Sequence, residues 1–387
     1  MSRNRSDEVP YDRELIRSGG VSRTRGRGRA ASAPREQRRG ARSVRRRRSP
    51  FRAIGILFLL LLIAGGVGIF LLGSRAAAFN ATVSTAPFPS TALFGALNGS
   101  DRVNVLMIGY GGGDHDGPFL ADSIQVLSID PETDTTTTIP IPRDLWIEGI
   151  SEFSQNGKVN EVFAFGEAEA GLDEAGNRLA AVISDVTGLE IQHWLSIDFA
   201  GFEEMVDAVG GVTVQNPTAF SYTNIEAKYQ AGIWDRGTFP AGELELDGHD
   251  ALEYSRARYT SVFEESNDFA RSIRQARVLA ALRTKLGDGG VGSIGPGLRL
   301  MDAMEGRVRT DLSVIDLALL SSHLSSDRRI ELSEGPVLTA TTNTIGQYIL
   351  IPTSWTGPGD YGGLRAYIAD QLAQPIPSAS ASDVAAP

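Results

Sequence analysis

The chain has 387 residues with no cysteine, four histidines and a formal net charge of −10 at pH 7. The lack of cysteine excludes disulfides, thiol nucleophiles and Cys-ligated metal centres, so any metal is expected to be a hard ion bound by carboxylates. The charge is unevenly divided: residues 1–52 contain 17 arginines and 5 acidic residues, whereas the remainder contains 20 basic and 42 acidic residues. A basic tail therefore precedes an acidic body, which is long enough to form a large domain with its own core.

The segment after the basic tail predicts a membrane anchor. Residues 53–73 are apolar and uncharged, and at ~1.5 Å of rise per residue a helix of this length matches the hydrocarbon core of a bilayer. Arg45 to Arg48 and Arg52 precede this run, whereas Arg75 alone follows it closely. By the positive-inside rule, we expect a single-pass protein of the cytoplasmic membrane with its N-terminus inside and its acidic body outside.

The segments that flank the predicted anchor are expected to lack a core of their own. Residues 1–52 carry almost no aromatic side chains that could stack on bases, so we expect a disordered cytoplasmic arm that rests on anionic lipid, and no nucleic-acid partner. A cleaved signal peptide ending near Ala76-Ala77-Ala78 is an alternative, but so long a leader favours an uncleaved anchor. Residues 74–100 predict an extracytoplasmic stalk and residues 374–387 a disordered tail, because both are rich in small residues and proline.

The acidic body alternates strand and helix patterns. Strand patterns cover residues 102–109, 123–130, 135–141, 193–199 and 212–214, and helical patterns cover residues 172–187, 202–209, 247–254 and 268–286. Residues 215–243 lack periodicity and are expected to form a long loop. This alternation predicts an α/β fold, a layered α-β-α domain with a mixed central sheet over residues 101–286, followed by a smaller α/β extension over residues 287–373.

The helix predicted over residues 268–286 places polar residues on its apolar face. At 100° per residue, Leu279, Leu282 and Leu286 define the buried face, and Asp268, Arg271 and Gln275 lie on that same face nearer the N-terminus. Burying a charge without a partner would cost several kcal/mol. We therefore expect this part of the helix to border a polar cavity, the alternative being an internal Asp–Arg pair that only orients the helix.

Three further arginines occur in patterns that suit phosphate. Arg256 and Arg258 are two residues apart, so on an extended segment both guanidinium groups point the same way and could bind a diphosphate. Arg143, in Ile141-Pro142-Arg143-Asp144, follows a predicted strand end, where ligand sites of open α/β sheets collect. Taken alone, Arg-x-Arg is also common on solvated surfaces, and Arg143 with Asp144 could form a salt bridge within a loop.

A glycine-rich loop from Gly109 to Asp122 supplies carboxylates near another strand end. It contains Asp114, Asp116 and Asp122 but lacks the Gly-Lys-Ser/Thr ending of a phosphate-binding P-loop. Carboxylates close to arginines suggest Mg²⁺ held between protein and phosphate oxygens. The alternative is a glycine-rich turn with solvated aspartates.

Taken in chain order, these segments resemble the LytR-CpsA-Psr family of cell-wall ligases. The resemblance covers residues 101–286 and is carried by six motifs in the family's order: Ala121-Asp122-Ser123, Ile141-Pro142-Arg143-Asp144, Lys158-Val159-Asn160, Asp198-Phe199-Ala200-Gly201-Phe202 with the Val206 to Val212 run, Tyr254-Ser255-Arg256-Ala257-Arg258, and Asp268-Phe269-Ala270-Arg271-Ser272-Ile273-Arg274-Gln275. The resemblance implies an Mg²⁺-dependent enzyme that transfers a glycopolymer from a polyprenyl-pyrophosphate carrier to peptidoglycan, with the lipid held between sheet and helices.

The resemblance also implies roles for single residues. Arg143, Arg256, Arg258 and Arg271 would bind the pyrophosphate, assisted by Gln275 and Arg274, with Lys158 in a loop nearby. Asp122 matches a family Mg²⁺ ligand. Tyr110 stands where the family usually has a first metal-binding aspartate, so Asp116 or Asp114 is expected to replace it. Asp122, Asp116 and Arg143 are thus the predicted catalytic residues.

Two other functions stay open from the sequence. Water as the acceptor would make the chain a polyprenyl-pyrophosphate phosphatase, which would release the glycan into solution. The altered metal loop also permits a non-catalytic lipid-binding regulator of the envelope. The phosphatase alternative would use the same arginines to bind the pyrophosphate.

Overall fold

A computed structural model describes residues 70–113, 117–223, 236–286, 294–323 and 328–376. The predicted cytoplasmic arm and most of the predicted transmembrane segment lie outside these ranges, as does the predicted C-terminal tail beyond residue 376. Within the ranges described, no helix has both the length and the apolar character needed to cross a bilayer.

The strands of the described residues are short except for two long neighbours near the N-terminus of the body. In chain order they are β1 (Val103–Tyr110), β2 (Ala121–Asp130), β3 (Thr135–Pro140), β4 (Trp146–Ile147), β5 (Gly157–Lys158), β6 (His193–Asp198), β7 (Val212–Asn216), β8 (Phe220–Thr223), β9 (Gly237–Phe239), β10 (Gly242–Leu246), β11 (Tyr259–Thr260), β12 (Val308–Thr310), β13 (Arg328–Arg329), β14 (Leu338–Thr342) and β15 (Tyr348–Pro352).

The helices of the described residues fall mostly between these strands. In chain order they are α1 (residues 70–83), α2 (Ala92–Leu97), α3 (Val159–Ala170), α4 (Leu172–Thr187), α5 (Phe199–Ala208), α6 (Gly248–Arg256), α7 (Asp268–Lys285), α8 (Ile294–Met304), α9 (Val314–Leu320) and α10 (Gly362–Ala373).

The central sheet is mixed, as predicted. Among the described residues it has six strands in the order β12-β6-β1-β2-β3-β13. β1 pairs antiparallel with β2 and parallel with β6, while the outer strand β13 runs parallel to β3. The carboxyl ends of β1 and β6 therefore lie at the same edge of the sheet, next to the start of β2.

Helices cover both faces of this sheet. On one face, Leu106 and Ile108 of β1 join a large apolar cluster with Phe163 of α3 and Val182 of α4. On the other face, Val105 of β1 belongs to a smaller cluster that includes residues of α2 and α9. The alternation of side chains along β1 accounts for this division, since successive residues of a strand point to opposite faces. The predicted layered α/β class is therefore correct.

Three helices that surround the later site begin at side-chain caps. Asp198, Asn267 and Asp247 each accept a hydrogen bond from a backbone N–H in the first turn of α5, α7 and α6, respectively. Such a cap satisfies a donor that the helix itself leaves unpaired, and it typically contributes about 1 kcal/mol. The caps therefore fix where the helices start relative to the sheet edge.

The segment predicted as a stalk is instead part of the folded body. Residues 70–83 are helical, and Phe79 and Val83 of α1 are buried against Val308. Leu93 of α2 is buried in the cluster that lines one face of the sheet. The prediction over residues 74–100 was wrong because it relied on composition, whereas these scattered apolar residues are spaced to pack.

The C-terminal region is not a separate extension either. β12 and β13 are edge strands of the central sheet, and they pair with β6 and β3. The predicted domain limit at residue 286 therefore divides one sheet between two segments. Residues 215–243, expected as a long loop, also contain strand structure in their described parts, since β7 pairs with β10 and β8 with β9.

Candidate active site

A cavity of about 330 Å³ lies between the central sheet and helices α5, α6 and α7. Strand register gives its sheet wall two rows. Ser123, Gly109 and Ile197 are paired across β2, β1 and β6 and form the outer row. Gln125, Met107 and Leu195 form the next row inward, two residues along each of these strands. The outer row is therefore the one nearer the start of β2 and the ends of β1 and β6.

Four of the predicted arginines line this one cavity although they come from three distant segments. Arg143 follows β3, Arg256 is the last residue of α6, Arg258 comes two residues later, and Arg271 lies in the first turns of α7. The remaining lining is largely apolar and includes Met107, Leu195, Phe199, Phe202, Leu252 and Leu279. A cluster of guanidinium groups thus borders an apolar cavity, which suits a ligand with a charged head and a hydrocarbon tail.

Two of these arginines are held by specific contacts. The guanidinium carbon of Arg256 lies over the Phe199 ring, 4.1 Å from its centroid, in a cation–π contact. Arg271 is buried, and its Nη2 donates a hydrogen bond of 3.4 Å to the carbonyl oxygen of Asp122. This contact joins α7 to the start of β2 at the cavity.

Asp122 pairs directly with Arg143 in the same cavity. Arg143 Nη1 lies 2.5 Å from Asp122 Oδ1, and both side chains remain partly exposed. Behind this pair, Asp144 accepts a 2.5 Å contact from Lys158 Nζ and lies 3.8 Å from Arg143 Nε. Lys158 is not among the cavity-lining residues of the described chain, so its contact with the site runs through Asp144 and Arg143.

Gln275 belongs to a small polar network on the cavity wall. Ser123 Oγ donates to Gln275 Oε1 at 3.1 Å, and Gln125 Nε2 donates to the same oxygen at 3.3 Å. Along α7, Arg271, Gln275 and Leu279 line the cavity at four-residue intervals. The helix therefore presents a charged, a polar and an apolar side chain in succession, as the predicted polar cavity along this face requires.

Sequence reasoning gave no site role to four polar residues of the cavity lining: Ser123, Asp198, Gln125 and Ser255. The last two are buried, and among the described residues neither Gln125 Oε1 nor Ser255 Oγ has a hydrogen-bond partner. A glutamine within the otherwise apolar run from Ile124 to Leu127 was the signal that could have identified Gln125. For Ser255 the only signal was its place beside Arg256.

Arg274 does not face the cavity, contrary to its predicted part in phosphate binding. It is fully buried, and its guanidinium donates to the backbone carbonyls of Tyr254, Ala257 and Glu265 and to the Glu265 carboxylate. Burial lowers its pKa, while the Glu265 carboxylate opposes that shift. At 100° per residue, Arg274 lies 60° to one side of Arg271 and Gln275 lies 40° to the other side. Arg274 and Gln275 are therefore 100° apart around the helix, so Arg274 points toward α6 while Gln275 stays on the cavity side.

Tyr110, which stands at the usual place of a metal-binding aspartate, faces away from the cavity. Its ring packs against those of Phe119 and Phe163, in the cluster on the opposite face of the sheet. Burial, and secondarily the charge of Asp198, raise the pKa of its phenol above the ordinary value. Tyr110 is therefore a neutral core residue and cannot supply the missing carboxylate.

Of the predicted metal ligands, Asp122 lines the cavity, whereas Asp114 and Asp116 lie outside the described residues. Within the described ranges no three His, Asp or Glu side chains are grouped so as to hold a metal. Asp198 is a second carboxylate on the cavity lining, and Gly112 lies so close to it that a Cβ there would come within 2.7 Å of the Asp198 Cβ. Two carboxylates on a cavity that four arginines also line are compatible with Mg²⁺, which commonly takes one or two carboxylates together with phosphate and water oxygens.

The model of the LytR_cpsA_psr family matches residues 73–354, which is most of the chain. The chain belongs to this family. The matched range includes β12, in agreement with the part that this strand takes in the central sheet.

Two curated relatives are both named polyisoprenyl-teichoic acid–peptidoglycan teichoic acid transferase TagU. The protein from Enterococcus faecalis is 29% identical over 266 residues, which cover 68% of this chain and 78% of the relative. The protein from Oceanobacillus iheyensis is 29% identical over 316 residues, which cover 79% and 91%. The similarity thus extends over most of both relatives.

Two crystal structures share the fold. A protein from Enterococcus faecalis described as a transcriptional regulator is 26% identical, with a TM-score of 0.51 over 74% of this chain and 92% of its own. The protein gbs0355 from Streptococcus agalactiae is 22% identical, with a TM-score of 0.52 and the same coverage, and supports the fold alone.

Proposed function

We propose that this protein transfers a glycopolymer from a polyprenyl-pyrophosphate carrier to peptidoglycan on the outer side of the cytoplasmic membrane. The observation that carries the proposal is the junction of four arginines from three segments with one apolar-lined cavity. The TagU relatives, whose names describe teichoic acid transfer to peptidoglycan, support the substrate class.

The two chemical halves of the cavity match the two halves of such a carrier. Guanidinium groups bind phosphate oxygens through paired, charge-assisted hydrogen bonds, and four of them would neutralise a pyrophosphate. The apolar side chains further in would shield the first isoprene units from water. A soluble nucleotide would leave that apolar lining without a partner.

The reaction follows from this arrangement. A hydroxyl oxygen of peptidoglycan attacks the glycan-side phosphorus, the bond from that phosphorus to the bridging oxygen breaks, and polyprenyl phosphate leaves with the bond's electrons. Arg143, Arg256, Arg258 and Arg271 stabilise the charge that develops on the leaving phosphate. An aspartate of the loop that ends at Asp122 accepts the hydroxyl proton. Hydrolysis of a nucleotide is unnecessary, because the pyrophosphate bond supplies the driving force.

Mg²⁺ is part of the proposal. Asp122 and Asp198 would hold it, with Asp116 or Asp114 as further ligands. The ion, when bound, supplies positive charge to the phosphate oxygens. Asp122 would then exchange some of its contact with Arg143 for the ion, which would leave that guanidinium available to phosphate.

The predicted anchor over residues 53–73 completes the proposal. It would keep the cavity close to the membrane surface, where a polyprenyl carrier lies, with the N-terminal arm in the cytoplasm. Transfer without ATP suits that outer compartment.

A product analysis tests the proposal. The full chain in lipid nanodiscs, given Mg²⁺, radiolabelled polyprenyl-pyrophosphate glycan and peptidoglycan, is expected to move the label to peptidoglycan and release polyprenyl phosphate. Label released as free glycan would identify a phosphatase instead. Unchanged carrier, bound but not consumed, would identify a lipid-binding regulator. Asp122→Asn is the matched variant, expected to bind carrier but to transfer at least about 100-fold more slowly.

A further inference from the structure

We propose that Arg274 is a positioning residue that sets the spacing of Arg256 and Arg258, and thereby the affinity of the cavity for two linked phosphates. The inference rests on the proposed function for the identity of the ligand. Its starting point is that Arg274 is not among the described residues that line the cavity, yet it binds the backbone segment that carries two of the cavity arginines.

The contacts of Arg274 lie on either side of Arg256, and the second directly precedes Arg258. Its Nε donates to the carbonyl oxygen of Tyr254 at 2.9 Å, two residues before Arg256. Its Nη2 donates to the carbonyl oxygen of Ala257, the residue between Arg256 and Arg258. One guanidinium thus fixes both the end of α6 and the start of the segment that follows it.

The Tyr254 carbonyl needs such a partner. The last four carbonyls of an α-helix have no N–H partner within the helix. Because α6 ends at Arg256, the Tyr254 carbonyl is one of these four. Ala257 then turns to an extended conformation with φ −52° and ψ 124°. Because Arg274 holds a carbonyl on each side of this turn, it fixes the angle at which Arg256 and Arg258 leave the backbone. A lysine could not replace it, since a single ammonium lacks a planar fork that spans two carbonyls.

Arg274 is itself held rigidly. Its side chain is 0% exposed, and its Nη1 lies 2.5 Å from Glu265 Oε2. The guanidinium carbon also lies 5.0 Å from the centroid of the Phe220 ring. Since Arg271 and Gln275 flank Arg274 on α7, this one buried group joins the two helices that supply most of the phosphate contacts.

The inference is tested by comparing the affinities of the protein for a lipid diphosphate and for the monophosphate of the same lipid. Farnesyl diphosphate and farnesyl monophosphate are titrated into the full chain in detergent, for the parent and for Arg274→Lys. We expect Arg274→Lys to weaken diphosphate binding about 10-fold or more and monophosphate binding less than about 3-fold, because only the diphosphate needs both arginines in register. Equal losses for the two ligands would overturn the inference.

Arg277→Met is the matched control. Arg277 lies on the same helix and its Nη1 donates to the phenol oxygen of Tyr254 at 3.2 Å, so the variant removes a guanidinium beside α6 without releasing a backbone carbonyl. We expect it to change neither affinity by more than about 2-fold. A diphosphate loss as large as that of Arg274→Lys would contradict the positioning role.

A double-mutant cycle separates positioning from a general structural effect. If Arg274 acts through Arg258, then Arg274→Lys costs less than about 3-fold in diphosphate affinity once Arg258→Ala is present. Additive losses would show that Arg274 only stabilises the fold.

Should Arg274→Lys not fold, Glu265→Gln, which loosens the same guanidinium, replaces it with the same expected pattern. Failure of the parent chain to bind farnesyl diphosphate would overturn the proposed function and this inference together, whereas parent binding with additive losses overturns the inference alone.

Discussion

Replacing Arg256 by lysine tests whether the shape of the guanidinium, and not only its charge, is used at the site. The substitution keeps the positive charge but removes the planar fork and the stacking on Phe199, whose ring centroid is 4.1 Å away. Loss of one arm of a paired phosphate contact costs about 1.5 kcal/mol, and loss of stacking at this half-buried position costs about 0.5–1 kcal/mol. The sum of about 2 kcal/mol corresponds to a roughly 30-fold weaker affinity for a lipid diphosphate.

The assay is a titration of farnesyl diphosphate into the purified parent and Arg256→Lys chains at constant ionic strength. Phe199→Leu is the companion variant, since it removes the stacking partner and keeps the guanidinium. It should weaken binding by only about 2- to 5-fold. If Arg256→Lys binds as tightly as the parent, or if Phe199→Leu costs more than Arg256→Lys, then the guanidinium of Arg256 does not contact phosphate as a fork and the reasoning is refuted.

Three other predictions address stability and the metal. Burial raises the pKa of Tyr361 from 10.0 to about 12, so the folded chain holds the phenol proton more tightly than the unfolded chain does. This contributes about 2–3 kcal/mol to the free energy of unfolding below pH ~10, and the contribution is lost as pH rises through ~12. Tyr361→Phe should therefore reduce the alkaline loss of stability by about that amount in denaturant titrations. Gly176→Ala in α4 should lower the free energy of unfolding by about 1–3 kcal/mol, because its Cβ would lie 2.4 Å from the Trp194 ring. Gly95→Ala in α2, where the space around the glycine is open, should be neutral or stabilising by up to about 1 kcal/mol. Thermal unfolding measures both variants. Chelation of divalent ions should suppress glycan transfer at least about 100-fold and added Mg²⁺ should restore it, and transfer that is insensitive to chelation would contradict the metal proposal.

Local sequence pattern was sufficient for the strands and helices that are long or strongly periodic. The apolar run around Val105 predicted β1, and the stripe through Leu179 and Val182 predicted α4, because each period matches the element that buries it. α3 was missed because Gly166 interrupts its helical pattern. That glycine is instead a close-packing position, where a Cβ would come within 2.5 Å of the Ala175 backbone.

Long-range pairing was beyond what local pattern can show. β12 and β13 contain three and two residues, and each joins the central sheet across a separation of more than a hundred residues. Nothing within such short segments distinguishes an edge strand of the main sheet from a strand of a separate extension. The C-terminal region was therefore assigned to its own unit although it completes the sheet.

The arginines of the cavity show the same limit at single residues. The order of the motifs predicted that Arg143, Arg256 and Arg271 belong to one site, and the structure places all three on one cavity. The same motif also included Arg274, because a motif records neighbours along the chain and not the side of the helix on which each one lies. Only the packing of α7 against α6 distinguishes a guanidinium that faces the cavity from one that binds the backbone.

The lipid that purifies with the protein tests the central claim most directly. Mass spectrometry of lipid extracted from the purified full chain is expected to find polyprenyl pyrophosphate or its glycosylated form, and to find it strongly depleted in an Arg256→Ala, Arg258→Ala chain that unfolds at the same temperature as the parent. Equal amounts of the same lipid in both chains would contradict the claim that these arginines bind its pyrophosphate.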